Sequence, residues 1–261
     1  MSHYSIGRMP DFSQRAQGEE MMDDFAITDG RLTRALGDLR WVNRWLGGHR
    51  AAQSVLAPLL RRTGKLRIVD LGSGGADYPE HVVRWAHRQG LEADVVAVDA
   101  NPQTVSHAQS ALDDRLPAAM RDRVEVACAD ALDLPYDDDA FDVAVAALFL
   151  HHFHGEEAVT LLREMDRVAR RGILVNDLHR HPLAYYGVRA LGTVTQASAM
   201  FRHDGPLSVL RGFRRAELEE LAAAAGLRGA RVHWRWAFRW VLTTIPRSPS
   251  SATGAAEPRA A

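Results

Sequence analysis

Short apolar runs alternate with amphipathic segments from Leu66 onward, and this alternation constrains the fold more than any other feature of the sequence. Segments 78–89, 102–113 and 155–170 have helical periodicity. The apolar runs that we interpret as strands are LRIVDL (66–71), ADVVAVDA (93–100), VEVACADA (124–131), AFDVAVAALFL (140–150) and RGILVNDL (171–178). Repeated strand–helix units predict a parallel sheet with helices on both faces, whose central strands are buried on both sides.

The last apolar segment, 229–245, has a different pattern. Val232, Trp234, Trp236, Phe238 and Trp240 alternate with polar residues, and period two indicates a strand or hairpin. A membrane-binding surface is the less favoured interpretation of this Trp/Arg mixture. Together these elements predict an α/β fold: a doubly wound, Rossmann-like, mostly parallel seven-stranded sheet.

Composition outside these runs suggests the remaining organisation of the chain. A helical cap is expected to precede the sheet, and the irregular segment after the fifth strand is expected to form a lid over the site. The expected parts are a poorly ordered N-terminus (1–20), a helical cap (21–63), the main domain (64–245) containing the lid (182–210), and a disordered tail (246–261).

Charge and cysteine content exclude some classes of function. The net charge of -1 gives no field that would attract a polyanion, so nucleic acid is not an expected partner. The sequence contains no run of 18 apolar residues, so no membrane span is predicted. The single cysteine, Cys128, fits a reducing, cytoplasmic compartment and is expected to be a buried, inert thiol. The oligomeric state stays open.

A glycine-rich loop, VDLGSGGAD, follows the first strand and opens a helix. Glycines at 72, 74 and 75 allow a tight turn and a close approach of the backbone to a ligand. A nicotinamide fingerprint beginning at Gly72 would need a third glycine where Asp77 stands. Asp70, before the loop, is a poor neighbour for a pyrophosphate but suits a cationic ligand such as S-adenosylmethionine, which carries an ammonium, a sulfonium and no phosphate.

Two further acids end the next two strands. Asp99 lies where a carboxylate can accept hydrogen bonds from ribose hydroxyls, and Asp130 lies where one can accept from an adenine amine. Each acid taken alone fits equally well as a helix cap or turn residue. The set of three acids and the loop favours an adenosyl site in the crevice at the carboxyl ends of the strands.

The segments VDLGSGGAD, VVAVDANP, VEVACADALDLPYDDDAFDVAVAALFLHHF and LLREMDRVARRGILVNDL resemble the class I S-adenosylmethionine-dependent methyltransferases. Within that class the resemblance is to the small-molecule group (methyltransferase type 11) that includes the ubiquinone and menaquinone C-methyltransferases. It implies S-adenosylmethionine as the cofactor. The cofactor-binding residues that it implies are Asp70, Gly72, Ser73, Gly74, Asp99, Ala100, Asp130, Ala131, Ala147 and Leu148.

Histidines cluster after the fourth and fifth strands. We expect His152 and His179 to be catalytic, as a base or as groups that orient the acceptor, with packing as the alternative. The expected substrate-binding residues are His151, Tyr185, Tyr186, Met200 and His203. We expect no required metal, because magnesium prefers oxygen ligands and these segments offer mainly imidazole.

The predicted function is therefore a methyltransferase that moves a methyl group to a small acceptor, aromatic or resembling a polyketide or quinone, with O- and C-methylation both open. Two alternatives remain: a non-catalytic adenosyl-binding module and a nicotinamide-dependent oxidoreductase. Asp70 and the absence of glycine at position 77 argue against the oxidoreductase.

Overall fold

The computed structural model of the protein describes residues 10–25, 27, 30–45 and 48–246, with the side chains of residues 44 and 45 excepted. The first nine residues of the expected N-terminal tail lie outside this part of the chain. The expected C-terminal tail lies outside it too, except for residue 246.

The described residues form one open sheet of seven strands. The strands are β1 (Lys65–Leu71), β2 (Glu92–Asp99), β3 (Val124–Cys128), β4 (Val143–Ala147), β5 (Ile173–Leu178), β6 (Arg231–Arg235) and β7 (Arg239–Thr243). Their order is β3-β2-β1-β4-β5-β7-β6, and of these seven strands β7 alone runs opposite to the other six. The predicted doubly wound, mostly parallel seven-stranded sheet is confirmed. The alternating segment 229–245 is the hairpin of β6 and β7.

Nine helices of the described residues surround the sheet. They are α1 (Gly30–Trp45), α2 (Gly48–Thr63), α3 (Asp77–Arg88), α4 (Pro102–Arg115), α5 (Ala118–Arg121), α6 (Gly155–Val168), α7 (Pro182–Val194), α8 (Ala199–Arg211) and α9 (Arg215–Ala224). Short 3₁₀ turns occur at Met21–Asp23 and Leu150–His152. Among the described residues, no helix has both the length and the apolar character needed to span a membrane.

Each face of the sheet carries its own hydrophobic core. Side chains of α2, α3 and α4 pack on one face with strand residues such as Ile68 and Val145. Side chains of α6 and α9 pack on the other with Val69, Ala146 and the fully buried Phe141. Alternate residues of one strand face opposite sides of the sheet, which explains why the parallel strands are apolar throughout.

The region expected to be an N-terminal cap divides into two parts. Helix α2 contributes Ala52, Leu56 and Leu60 to the core on one face of the sheet. Helix α1 instead packs against α2 and α8. The buried carboxylate of Glu80 on α3 binds Arg40 of α1, at 2.7 Å, together with Arg84 and Arg115. Helix α2 is therefore part of the core, while α1 lies outside it.

Residues 10–20 differ from the expectation of a poorly ordered end. This segment lacks helices and strands, but it packs on α8 and on the turn after β4. The Ala16 N–H donates to the Leu210 carbonyl, the Arg15 guanidinium donates to the carbonyls of Arg211 and His151, and Glu20 is buried. Its polar composition misled the prediction because its partners belong to distant parts of the chain.

Candidate active site

A cavity of about 1180 Å³ opens at the carboxyl ends of β1, β2, β3 and β4. It lies at the point where the strand order reverses, between β1 and β4, which is where open α/β sheets bind ligands. Helix α1, helix α8 and residues 17–25 close its other side. Since small-molecule pockets commonly measure about 300–1,000 Å³, this cavity has room for two small molecules side by side.

The glycine loop forms the floor of the cavity. Gly72 and Gly74 have φ of +63° and +53°, in the left-handed region where a side chain is strained. A Cβ on Gly72 would lie 2.0 Å from the Phe149 ring, so this position also requires the absence of a side chain. The Ser73 N–H donates to the Val98 carbonyl at 2.9 Å, which holds the loop against the end of β2.

The acids that end β2 and β3 both line the cavity. Asp99 accepts from the N–H groups of Gly74 and Asn101, each at 3.0 Å, so its carboxylate ties the glycine loop to the next turn. Burial raises its pKa. Asp130 is more exposed and accepts from the Leu132 N–H at 2.9 Å. Both acids therefore accept backbone hydrogen bonds in a turn and also line the cavity, so the two alternatives do not exclude each other.

Nine of the ten predicted cofactor residues line the cavity. They are Gly72, Ser73, Gly74, Asp99, Ala100, Asp130, Ala131, Ala147 and Leu148. Asp70 is the exception: it lies behind the loop, 2% exposed, with one oxygen accepting from the Ser73 hydroxyl at 2.8 Å and the other without a hydrogen-bond partner. Burial raises its pKa to about 7. Cys128 also differs from expectation, because it is exposed and lines the cavity.

His151 is the most buried polar group at the opposite end of the cavity, 2% exposed. Its Nδ1 lies 2.7 Å from Oδ1 of the fully buried Asp177, and its Nε2 lies 3.4 Å from Oε1 of Glu20. Burial opposes protonation of the ring, but the two carboxylates outweigh it and raise the pKa of His151 to about 9. Ion pairing with His151 lowers the pKa of Asp177 despite its burial.

His152 lies beside it, with the two ring centroids 4.4 Å apart. Its Nδ1 is 2.7 Å from Oδ1 of Asp23, and its side chain is 20% exposed in the cavity wall. Although burial opposes ionisation of Asp23, its contacts with His152 and Arg211 lower its pKa to about 2. Arg211 also donates to the carbonyls of His151, His152 and Gly18, so one buried guanidinium joins the turn to the N-terminal segment.

The second predicted catalytic residue, His179, lies elsewhere and does not line the cavity. Its ring packs 4.9 Å from Trp240 and 5.3 Å from His181. Burial, with the nearby positive groups, lowers its pKa to about 4. The position of His179 favours the packing alternative: β5 ends at Leu178, and the chain leaves the crevice to pair with Phe213.

Four of the predicted substrate residues also lie outside the cavity lining. Tyr185 is buried against Phe12, Tyr186 is 46% exposed, and Met200 packs on α1. The His203 ring lies 2.7 Å from Asp204. Because the irregular segment folds into α7 and α8, these side chains fall on faces that point away from the cavity. Val188, Phe201 and Val209 of the same segment line it instead.

Several cavity residues had no signal in the sequence analysis. Glu20 and Asp23 belong to a polar segment, and nothing local indicates that they approach His151 and His152. Arg211 and Asp204 offered a weak signal, as charged residues on the otherwise apolar face of a helical segment. Arg239, in the alternating hairpin, is 2% exposed, lines the cavity, and keeps Nε and Nη1 without hydrogen-bond partners while Nη2 donates to Asn43.

Comparison with known proteins agrees with this architecture. Residues 69–175 match the model of a methyltransferase domain family. The match extends from β1 to β5 and includes the glycine loop, the acids that end β2 and β3, and the histidine pair. It leaves out the N-terminal segment, α1, α2, helices α7 to α9 and the hairpin.

Solved methyltransferase structures share the fold at low sequence identity. Human N-acetylserotonin methyltransferase, in complex with S-adenosylmethionine, aligns with a TM-score of 0.59 and 17% identity over 87% of this chain and 59% of its own. An S-adenosylmethionine-dependent methyltransferase structure from Methanococcus maripaludis aligns with a TM-score of 0.56 and 13% identity, over 90% of this chain and 99% of its own. Magnesium protoporphyrin IX methyltransferase from Synechocystis PCC 6803, with bound S-adenosylhomocysteine, aligns with a TM-score of 0.52 and 16% identity, over 82% of this chain and 98% of its own.

These matches do not single out the ubiquinone and menaquinone C-methyltransferases, so that closer resemblance stays a proposal. Residues 69–175 match a methyltransferase domain family, and the chain shares the fold of solved S-adenosylmethionine-dependent methyltransferases.

Proposed function

We propose that this protein is an S-adenosylmethionine-dependent methyltransferase that acts on a small, largely apolar acceptor. The observation that carries the proposal is the composition of one cavity: a glycine loop and the acids of two strand ends at its floor, and an apolar chamber with a polar histidine end above them. The acceptor class remains aromatic or similar to a polyketide or quinone, with O- and C-methylation both open.

The cofactor, S-adenosylmethionine, occupies the floor. Asp99 accepts from the ribose hydroxyls, and Asp130 and Ala131 border the adenine. Ala147 and Leu148 lie beside the methionyl portion, which is close to β4. Arg239 is the group we assign to the cofactor carboxylate, because its guanidinium is buried in the cavity wall with two unpaired nitrogens. Asp70 acts indirectly, by holding Ser73 in the loop.

The acceptor occupies the chamber between the cofactor and the covering elements. Apolar side chains line it from three parts of the chain: Met22 and Phe25, Leu36 and Leu39 of α1, and Phe201 and Val209 of α8. Such a chamber favours a flat or flexible apolar molecule and excludes water from the reacting atoms. Ser208 and Asp204 are polar groups in the same wall that can orient it.

Methyl transfer is an in-line displacement at the sulfonium carbon, so the protein contributes mainly by positioning the acceptor. His152 is the side chain we place at the acceptor's reacting group. Asp23 orients its ring through Nδ1, so that Nε2 can take up or hold the acceptor proton. His151, which Asp177 holds in place, packs against the ring of His152 and so helps to fix the orientation of His152.

Calorimetric titration tests the cofactor assignment. We expect S-adenosylmethionine and S-adenosylhomocysteine to bind in the micromolar range and NADH not to bind. Asp99→Ala is expected to weaken S-adenosylhomocysteine binding at least 100-fold, because it removes the ribose acceptor and releases the Gly74 N–H. Asp94→Ala, which removes a carboxylate from the same strand outside the cavity, is the matched control.

Methylthioadenosine, which lacks the amino-acid group, separates the two ends of the site in the same titration. Arg239→Leu is expected to weaken S-adenosylhomocysteine binding about tenfold or more and to leave methylthioadenosine binding unchanged. Wild-type protein that binds NADH, or that binds no adenosyl ligand, would contradict the proposed function. Tight binding without turnover on any phenolic or quinone acceptor would favour the adenosyl-binding module.

A further inference from the structure

The polar end of the cavity has the composition of a metal site. One ligand atom from each of Glu20, His151 and His152 lies within 4.8 Å of the other two. Glu20 and His151 are both buried, and His152 opens to the cavity. The sequence pattern indicated only the histidine segments; the third ligand, Glu20, comes from the N-terminal segment, which no local pattern connects with them.

Each histidine is already oriented as a metal ligand. Nδ1 of His151 is held by Asp177, and Nδ1 of His152 is held by Asp23, each at 2.7 Å. Metal-binding histidines usually donate one ring N–H to a carboxylate in this way, which fixes the ring and leaves the other nitrogen for the ion. Two neighbouring histidines with the same arrangement are harder to explain as packing than one.

The contact between Glu20 and His151 is long for a hydrogen bond. Nε2 of His151 lies 3.4 Å from Oε1 of Glu20, and this oxygen has no hydrogen-bond partner although it is buried. Two ligand atoms about 2.0–2.1 Å from one ion in tetrahedral geometry lie about 3.4 Å apart. The spacing therefore suits an ion between the two atoms better than a shared proton.

The charges around the rings admit a cation. Glu20, Asp23 and Asp177 supply three negative charges, and the guanidiniums of Arg211 and Arg15 supply two positive ones nearby. Counted without the imidazole rings, these groups leave one negative charge in excess.

We propose that Glu20, His151 and His152 bind one divalent transition-metal ion of the Zn²⁺ type. Two imidazoles and one carboxylate match this class better than Mg²⁺, which prefers oxygen ligands. Three protein ligands leave the fourth position open, as in catalytic rather than structural zinc sites. His152 and Glu20 line the cavity, so the open position faces the chamber.

The role of the ion rests on the proposed function. For a hydroxyl acceptor, the ion binds the oxygen and lowers its pKa, and the proton leaves to solvent. The oxygen then forms a bond to the methyl carbon while the carbon–sulfur bond breaks. The sulfur keeps the electron pair, and S-adenosylhomocysteine is the second product. His152 would then act as a metal ligand and not as the base.

The test is metal binding by the full-length protein, independent of activity. Protein stripped with a chelator is titrated with Zn²⁺ against a competing chelator, and with Co²⁺ followed by its visible absorption. We expect one ion per chain. Glu20→Gln is expected to weaken binding at least 100-fold and Asp23→Asn about 10- to 100-fold. Glu19→Gln, an exposed neighbour, is the matched control and should bind as the wild type does.

His152→Gln provides a second variant if Glu20→Gln fails to fold, because its side chain is less buried. The absence of stoichiometric binding, or binding that Glu20→Gln and His152→Gln both retain, would overturn the proposal. Full methyl transfer by the stripped protein would overturn the catalytic role of the ion. If the wild-type protein binds the metal but does not bind S-adenosylhomocysteine, the proposed function is contradicted and the proposed metal site is not.

Discussion

At the scale of single residues, Gly72 shows how backbone conformation and a neighbouring ring constrain one position together. Its φ of +63° costs an alanine about 1–2 kcal/mol, and the added Cβ would overlap Phe149. We expect Gly72→Ala to lower the free energy of unfolding by about 3 kcal/mol or more and to weaken S-adenosylhomocysteine binding at least 100-fold. Denaturant unfolding and calorimetry measure the two effects.

Gly90→Ala is the matched control for this prediction. Gly90 has nearly the same φ, +66°, but open space where the Cβ would lie. In this variant the free energy of unfolding should fall only by the conformational contribution, about 1 kcal/mol, and ligand binding should equal that of the wild type. Equal losses in the two variants would show that the ring contact contributes nothing. Adding Phe149→Leu to Gly72→Ala should recover part of the lost stability.

These residues also show what sequence can reveal about a site. Gly72, Asp99 and Asp130 lie at the end of a strand or within two residues of it, so their place at the cavity depends on local structure and on the rule that parallel strands end at one edge. Glu20 and Asp23 depend on contacts across the chain: Asp23 meets Arg211 over a separation of 188 residues. No periodicity or motif encodes such a pairing, and it became visible only in the fold.

At the scale of elements, the strands and the helices between them were predictable because each buries an apolar face of regular period. The exceptions are informative. The third strand stops at Cys128 instead of residue 131, because Asp130 accepts the Leu132 N–H in a turn. The expected irregular lid is two helices, α7 and α8, and α8 includes Pro206. Mixed polar and apolar faces hid this regularity, since α8 is buried on several sides.

Helix α8 and the N-terminal segment are joined by Arg211, which predicts a specific failure. Arg211→Leu would remove one donor from the Asp23 carboxylate and one from each of the carbonyls of Gly18, His151 and His152. We expect the free energy of unfolding to fall by about 2–4 kcal/mol and trypsin to cleave after Arg15 much faster. Denaturant unfolding and the mass of early tryptic fragments measure these effects.

Arg215→Leu provides the comparison within the adjoining segment. Arg215 is exposed, and its ion pair within the described part of the chain is with Glu219 one helical turn away, so its removal should change stability by less than about 0.5 kcal/mol. Cleavage after Arg15 at the wild-type rate in Arg211→Leu would mean that other contacts, such as those of Arg15 itself, hold the segment in place.

At the scale of the whole molecule, the site joins parts of the chain that the sheet alone would leave separate. The methyltransferase family match ends at residue 175, yet the cavity walls come in large part from residues 17–25, from α1 and from α8. The matched region therefore supplies the floor of the cavity, where we propose that the cofactor binds, and the unmatched elements supply much of the chamber that we propose for the acceptor. This division explains why the cofactor could be predicted from the sequence while the acceptor could not.

A ligand that spans the cavity should stabilise both sides of it together. At a concentration 100 times its Kd, S-adenosylhomocysteine adds about 2.7 kcal/mol to the free energy of unfolding. We expect hydrogen exchange to slow at the glycine loop and at residues 98–101, where we place the ligand. We also expect it to slow at residues 17–25, because Gly18 and Asp23 bind Arg211 and Asp23 also binds His152 in the cavity wall.

Helix α5, which contributes no residue to the cavity, should exchange at the same rate with and without the ligand. Asp99→Ala at the same ligand concentration controls for effects other than binding. Slowing confined to the loop and to residues 98–101 would show that the cofactor alone does not order the N-terminal segment. In that case the acceptor, and not the cofactor, would order this wall. Hydrogen exchange at residues 17–25 should then slow when an acceptor analogue is added, because these residues line the chamber and not the floor.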